Sequence, residues 1–433
     1  MKYLFVHPNF PAQFRHLATT LAKDPNNQVF FLTNRQEGRI PGVRKLIYNP
    51  SREAKPETHH YLRSTENAIL HGQAAYRRLM QLEKQGIQPD IIYAHAGWGP
   101  ELFLKDLFPD SKFCSYFEWY YHAYGTDADF DINDPITPDD AARIRVKNAP
   151  ILLDLASCDK GMVPTNWQKQ QFPIEFQQKL SVLHDGIDTA FFRPKADASL
   201  LLPPSAKPKK NKGFDPDKQA AKTKLTPIAE IKQRLNQEGL DLSNATEIVT
   251  YVARGMEPYR GFPQFMEAVS LLQQNRPHCH VVVVGEDRVA YGKNLPKGLT
   301  YGQLMLQELN LDLSRLYFTG WLPYDQYLQV LQASSAHVYL TRPFVLSWSL
   351  LEAMATECAI VASRTAPVEE VIEDGVNGLL FDFFSPSEIV ARVEEVLDHP
   401  DRMATMRSQA RETILARFDL AQLLPQHLAW VNA

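Results

Sequence analysis

Short apolar runs alternate along most of this chain with longer segments whose apolar positions recur at helical spacing. Residues 3–7, 29–33, 91–94 and 112–117 have strand character, and 46–48 and 161–164 are shorter runs of the same kind. Between them, 14–23 places Phe14, Leu17 and Leu21 on one helical face. Residues 61–85 form a long pattern with polar faces, closed by Gly86 and Pro89, and 141–156 is helical. The alternation resumes later, with strands at 248–253, 280–284 and 316–318 and helices at 262–273, 301–309 and 324–332. From 387 to 430 the pattern is almost wholly helical. This order predicts an α/β fold, with doubly wound parallel sheets covered by helices on both faces.

One stretch, 337–378, organises the second half. An apolar run at 337–340 is followed by a loop at 341–347, a helix at 348–355 and a second strand-like run at 359–363. In such a unit the loop after the strand feeds a helix N-terminus, whose backbone N–H groups and positive dipole end suit phosphate. Glu352 lies about one turn into that helix, where its carboxylate could accept hydrogen bonds from a ribose diol. A buried strand–helix–strand unit with a surface Glu352 would give the same pattern.

Composition narrows the partners. The chain has 433 residues, enough for two or three domains, and a formal charge of −4, which argues against a general nucleic-acid binder. Cys114, Cys158, Cys279 and Cys358 are widely spaced, so buried thiols are expected rather than a zinc site or disulfides. No signal peptide or membrane-spanning run is visible, which predicts a cytoplasmic protein. Residues 195–226 are rich in Pro and Lys and read as an insertion near a domain boundary. Lys207, Lys209, Lys210 and Lys212 within it leave open a peripheral contact with an anionic membrane face or glycan.

Two loops of the first half carry candidate chemistry. HPNFPAQF, at 7–14, lacks the GxGxxG of a dinucleotide site, which disfavours an NAD enzyme. Its apolar, proline-stiffened course could shape a substrate cleft, with Phe10 and Arg15 as acceptor-binding candidates. DADFDIND, at 127–134, repeats Asp-x-Asp but lacks the Gly and terminal Glu of a calcium loop. It is expected to be an exposed acidic loop without a metal.

Five ordered segments then resemble the glycosyltransferases of family four, which have the GT-B fold. They are HDGIDTAFFRP at 184–194, ARGMEPYRGF at 253–262, VVVVGEDR at 281–288, YFTGWLPYDQY at 317–327, and LLEAMA at 350–355 paired with VIEDGVNGLLF at 371–381. The resemblance covers 181–384 and implies two Rossmann-like domains facing a central cleft. Expected bounds are 1–183 for an acceptor domain, 184–415 for a nucleotide-sugar domain, and 416–433 for a helix crossing back to the first.

The implied activity is a retaining transfer of a sugar from a nucleotide diphosphate to an acceptor hydroxyl of a surface glycan or small glycoside, with no metal and no cofactor beyond the donor. Arg254 and Arg260, the latter in the family's Lys position, would stabilise the leaving diphosphate. Gly285 and Glu286 belong to the strand-plus-Gly element. Ser347, Trp348 and Ser349 would add helix N-terminal donors, Glu352 would bind ribose, and Trp321, Leu322 and Pro323 would hold the base.

The chain also departs from the family. The first carboxylate of the Glu-x7-Glu pattern is replaced by Phe344, followed by Val345, Leu346 and Ser347 where Gly-Phe-Gly is usual. In the first half, Glu118 stands near the family's functional His, with His95 at another strand end as the alternative base or acceptor-hydroxyl ligand. Rival readings are a nucleotide-sugar binding protein without transfer, and a non-transferase enzyme of the same fold such as a sugar-nucleotide epimerase.

Overall fold

The computed structural model describes residues 1–204 and 227–433, so the Lys cluster at 207–212 lies outside the described residues. The chain forms two compact units. The first is Met1–Gly186 with Pro343–Val345 and Phe418–Ala433, and the second is Ile187–Arg342 with Leu346–Arg417.

The first unit is built on seven strands: β1 (Lys2–Val6), β2 (Gln28–Thr33), β3 (Val43–Ile47), β4 (Ile91–His95), β5 (Lys112–Tyr116), β6 (Lys160–Val163) and β7 (Leu180–Val182). They pair in the order β3-β2-β1-β4-β5-β6-β7, all parallel. Parallel strands are covered on both faces, so alternate residues feed two separate cores. Leu4, Val6, Phe30, Leu32, Ile92 and Ala94 face one layer of helices. Tyr3, Phe5, Phe31, Tyr93 and Tyr116 face the other, with Phe14, Leu17, Leu21 and Val431 of the last helix, Leu420–Asn432. That helix is fastened by Tyr3, whose hydroxyl donates to the Asn432 side-chain oxygen at 2.7 Å, and by His427, whose Nε2–H donates to the His184 carbonyl at 2.9 Å.

The second unit repeats this logic. A short antiparallel pair, β8 (Leu201–Leu202) and β9 (Leu240–Asp241), precedes a six-stranded parallel sheet. The sheet comprises β10 (Glu247–Gly255), β11 (Cys279–Glu286), β12 (Leu316–Gly320), β13 (Ala336–Tyr339), β14 (Ile360–Ser363) and β15 (Leu379–Phe381), ordered β12-β11-β10-β13-β14-β15. Both sheets therefore reverse direction beside their first strand, at β1/β4 and at β10/β13. Ligands of doubly wound folds bind at such switch points, outside the strands' carboxyl ends.

Some expected elements change. The helix expected at 141–156 is two, Pro138–Lys147 and Ala149–Ser157. Pro150 cannot donate into a continuing helix, and the Asn148 side chain instead bonds both backbone groups of Tyr121. The helical stretch at 387–430 is three helices, Pro386–Asp398, Pro400–Arg417 and Leu420–Asn432. The three-residue strands β7 and β15 are too short for a periodic signal. All four cysteines are buried and unpaired. Among the described residues no helix is long and apolar enough to cross a membrane.

The 127–134 loop is open at its tip, where Ile132 and Asn133 are exposed, but its start folds inward. Asp127 is buried, and the Asp129 carboxylate turns back to accept the N–H groups of Gly125 and Thr126. The exposed Lys147 packs its ammonium over the Tyr121 ring, 3.5 Å from the ring centre. Among the described residues no group of three or more His, Cys, Asp or Glu side chains is placed to hold a metal ion.

Candidate active site

In the second unit the switch point is crowded with polar side chains. Arg254 ends β10, is exposed, and has no hydrogen-bond or ion-pair partner among the described residues. Arg260, six residues on, is buried instead. Its Nη1 donates to the Thr341 hydroxyl at 2.7 Å and to the Tyr339 hydroxyl at 3.2 Å, and its guanidinium lies 5.4 Å from the centre of the Tyr291 ring. The same Tyr339 oxygen accepts the Ser347 N–H at 2.9 Å. Tyr339 thus joins Arg260 to the N-cap of the helix Trp348–Ala355.

Arg260 is thus held inside the unit by side-chain hydroxyls, whereas Arg254 is exposed. The N–H groups of Ser347 and Ser349 are also engaged within the protein, the former by Tyr339 and the latter by the Ser347 hydroxyl at 3.3 Å. Trp348 follows on the same turn and is about one-third exposed.

Glu352 lies in the next turn of that helix and is buried. The Tyr327 hydroxyl donates to its carboxylate at 2.8 Å. Burial pushes the Glu352 carboxyl up to about 7, only partly offset by the Tyr327 bond. Such a group is poised to change charge when a ligand adds hydrogen bonds.

On the other side of β10, Glu286 ends β11. Its carboxylate pairs with Lys232 at 3.1 Å and accepts the Trp321 N–H at 3.2 Å, which fixes the start of the segment after β12. The Trp321 side chain is 69% exposed, and Leu322 and Pro323 follow it into the next helix. Gly285 has a backbone reason for its identity. At φ +137° a Cβ there would sit 1.9 Å from the Ala253 carbonyl oxygen, so β11 can approach β10 only with glycine.

Several neighbours escaped the sequence reading. Glu257 is fully buried and accepts N–H groups from Ala290, Tyr291 and Gly292, which shapes the loop after β11. The Tyr259 ring is tilted against Tyr291 at 6.3 Å, and Arg342, in the loop after β13, lies over the Tyr259 ring at 5.2 Å. Tyr327, Tyr339 and Thr341 lie within the segments singled out in the sequence, but nothing there marks them as partners of Glu352 and Arg260, which are remote along the chain.

In the first unit the switch point brings His7 and His95 together, with ring centroids 4.8 Å apart and edge-on. The His95 Nδ1 must carry the proton, since its partner at 3.1 Å is the Ala96 carbonyl. Its Nε2 then presents a lone pair, has no hydrogen-bond partner, and faces the Glu118 carboxylate at 3.8 Å. Burial lowers the His95 pKa, and the Glu118 charge opposes that shift. Glu118 is about one-third exposed and His95 is buried, so of the two the carboxylate is the one open to solvent.

The Phe10 ring packs edge-on against Phe31 and under the Lys45 ammonium, 4.0 Å from the ring centre. Arg15 is exposed at a helix start. Phe344 belongs to the first unit, where its ring is edge-on to Trp119 at 5.0 Å and its carbonyl accepts the Trp167 indole N–H at 3.1 Å.

Two family models match the chain. The glycosyl transferase family 4 group matches residues 25–192, and glycosyl transferases group 1 matches residues 233–413. The chain is 30% identical over 105 residues to an uncharacterized glycosyltransferase of Methanocaldococcus jannaschii, covering 24% of this chain and 27% of that protein. It is 26% identical over 193 residues to the alpha-D-kanosaminyltransferase of Streptomyces kanamyceticus, covering 45% and 46%. The chain thus spans less than half the length of these two curated relatives. Its fold matches that of Anabaena HepE, solved in complex with UDP-glucose, with a TM-score of 0.64 at 15% identity over 100% of this chain and 99% of that one.

Proposed function

We propose, from the premise that the chain belongs to the group 1 glycosyltransferases of family 4, that it transfers a sugar from a nucleotide diphosphate to an acceptor hydroxyl. The observation that carries the donor half is the Tyr339 hydroxyl holding Arg260 and the Ser347 N–H together at the β10/β13 switch point. As the bond from the anomeric carbon to the phosphate oxygen breaks, negative charge grows on the leaving diphosphate. Arg254, exposed on the same sheet edge, is the cation that meets it. Arg260 acts from behind, by holding the helix N-terminus rigid so that no reorganisation is needed as charge develops.

Glu352 receives the ribose hydroxyls, and Trp321, Leu322 and Pro323 hold the base. Glu118 receives the acceptor hydroxyl and its proton, backed by the His95 lone pair. The family resemblance supports retention of anomeric configuration, a surface glycan or glycoside as acceptor, and no metal. The fold shared with the UDP-glucose complex of HepE places UDP-glucose first among donors to try.

The test is incubation of the full chain with UDP-, GDP- and ADP-glucose and a glycoside acceptor panel, with the anomeric configuration of any product read by NMR. A retained product supports the proposal, and an inverted one removes the retaining mechanism. One observation favours a second reading, a nucleotide-sugar binder without turnover: Phe344 replaces a carboxylate and packs on Trp119. Tight donor binding by calorimetry with no transfer to any acceptor would favour it. A sugar isomer formed from donor alone would favour the epimerase instead.

A further inference from the structure

We propose that Trp98 is a stacking platform for a pyranose ring, so that the hydroxyl delivered to Glu118 belongs to a saccharide. The word acceptor here rests on the transferase reading above, whereas the platform itself rests on the geometry of the first unit.

Trp98 is 47% exposed, and its backbone is tightly held. On one side the Gly97 N–H donates to Asp154 at 3.1 Å, and on the other the Gly99 N–H donates to Glu101 at 2.8 Å. Both carboxyl groups are buried. Gly99 has φ +105°, and a Cβ there would lie 2.1 Å from the Ala68 carbonyl oxygen, so no other residue fits. Two buried acids and a glycine-only turn are a costly way to present one aromatic side chain, and such over-determined loops cluster at ligand sites.

What surrounds the indole selects the ligand. The His7 and His95 rings lie 6.1 and 6.2 Å from it. Behind them the unpartnered Nε2 of His95 faces Glu118. His95 therefore lies between a half-exposed indole, 6.2 Å from its ring, and a partly exposed carboxylate, 3.8 Å from its Nε2, beside the β1/β4 switch point. A pyranose ring matches both features. Its apolar C–H face packs on the negative face of the indole, and its rim hydroxyls reach the carboxylate. A long-chain alcohol would leave the rim carboxylate with a single hydroxyl, and a flat aromatic aglycone would offer it none.

Saturation-transfer NMR tests this on the full chain, wild type, Trp98→Ala and Trp98→Phe. The probes are methyl α-D-glucopyranoside, methyl β-D-galactopyranoside and, as a non-sugar, n-octanol. In the wild type, one face of a pyranoside should receive most of the saturation. Trp98→Ala should weaken binding about five- to tenfold, and Trp98→Phe should retain most of it. Equal saturation in wild type and Trp98→Ala overturns the platform, as does preferential saturation of octanol. UDP binding is measured by calorimetry on the same samples. Loss of UDP and UDP-glucose binding in the wild type defeats the transferase reading alone, whereas intact donor binding with an indifferent Trp98→Ala variant defeats the platform alone.

Discussion

The Tyr327 hydroxyl donates to the buried Glu352 carboxylate at 2.8 Å, and burial nevertheless leaves that carboxyl at about 7. Ribose hydroxyls donating to Glu352 would favour its charged form, so donor binding should release a proton near neutrality. Donor affinity should therefore rise as pH increases from about 6 to about 8. Calorimetry in buffers of different ionisation enthalpy measures the proton release directly. Glu352→Gln should bind weakly and without this pH dependence. Tyr327→Phe removes a bond that favours the anion, so it should move the transition to higher pH.

The Tyr339 hydroxyl accepts two hydrogen bonds, and Tyr339→Phe orphans the Ser347 N–H while leaving Arg260 with Thr341. Leaving this partly buried donor unsatisfied costs about 1 kcal/mol, so a small fall in unfolding temperature is expected together with about tenfold weaker donor binding. An unchanged donor Kd would show that the link does not shape the phosphate site.

Arg254 and Arg260 should separate by experiment. Arg254→Ala removes an exposed cation, so folding should be nearly unaffected while turnover falls about a hundredfold or more. Arg260→Ala empties a buried position and should lower both stability and turnover. Arg260→Lys should not rescue, because one ammonium cannot reproduce the planar contacts to Tyr339, Thr341 and Tyr291.

If Glu118 takes the acceptor proton, Glu118→Gln should lower turnover about a hundredfold or more with donor binding intact. His95 acts through Glu118, so His95→Asn should cost less and should shift the pH–rate profile of the acceptor step. Full turnover by Glu118→Gln would remove the pair from the mechanism.

Glu101 and Asp154 give a stability test. Burial pushes Glu101 up to about 7, opposed by backbone N–H groups and by its bond with Asp154, while burial and then the Glu101 charge raise Asp154 well above the usual carboxyl range. Both folded values lie above the unfolded ones. The native state therefore binds more protons between the usual carboxyl range and about pH 7, and its stability falls as pH rises through that window, by at most about 1.4 kcal/mol per pH unit per proton. Thermal unfolding at about pH 5 and about pH 8 should show a smaller difference in Glu101→Gln than in the wild type.

Periodicity was enough to place nearly every long strand and helix, because parallel strands buried on both faces must be apolar runs and surface helices must carry a stripe. Runs such as 281–284 and 91–94 have no other stable home. It failed at 141–156, where the Asn148–Tyr121 bonds decide the break, and at β7 and β15, where three residues carry no period. The family resemblance of 181–384 singled out Arg254, Arg260 and Glu352, but it could not tell an exposed guanidinium from a buried one.

What the order of residues determined by itself is therefore local: two alternating α/β halves, the glycines that strand ends require, and the titratable groups placed at those ends. Only the tertiary structure decided which of them meet. Arg260 reaches Tyr339 across 79 positions, Glu352 meets Tyr327 across 25, and Glu118 comes within 3.8 Å of His95 from the loop after the neighbouring strand. Burial, which sets the charge of Glu352 and His95, is a property of everything packed around a side chain and is written in no single stretch of sequence.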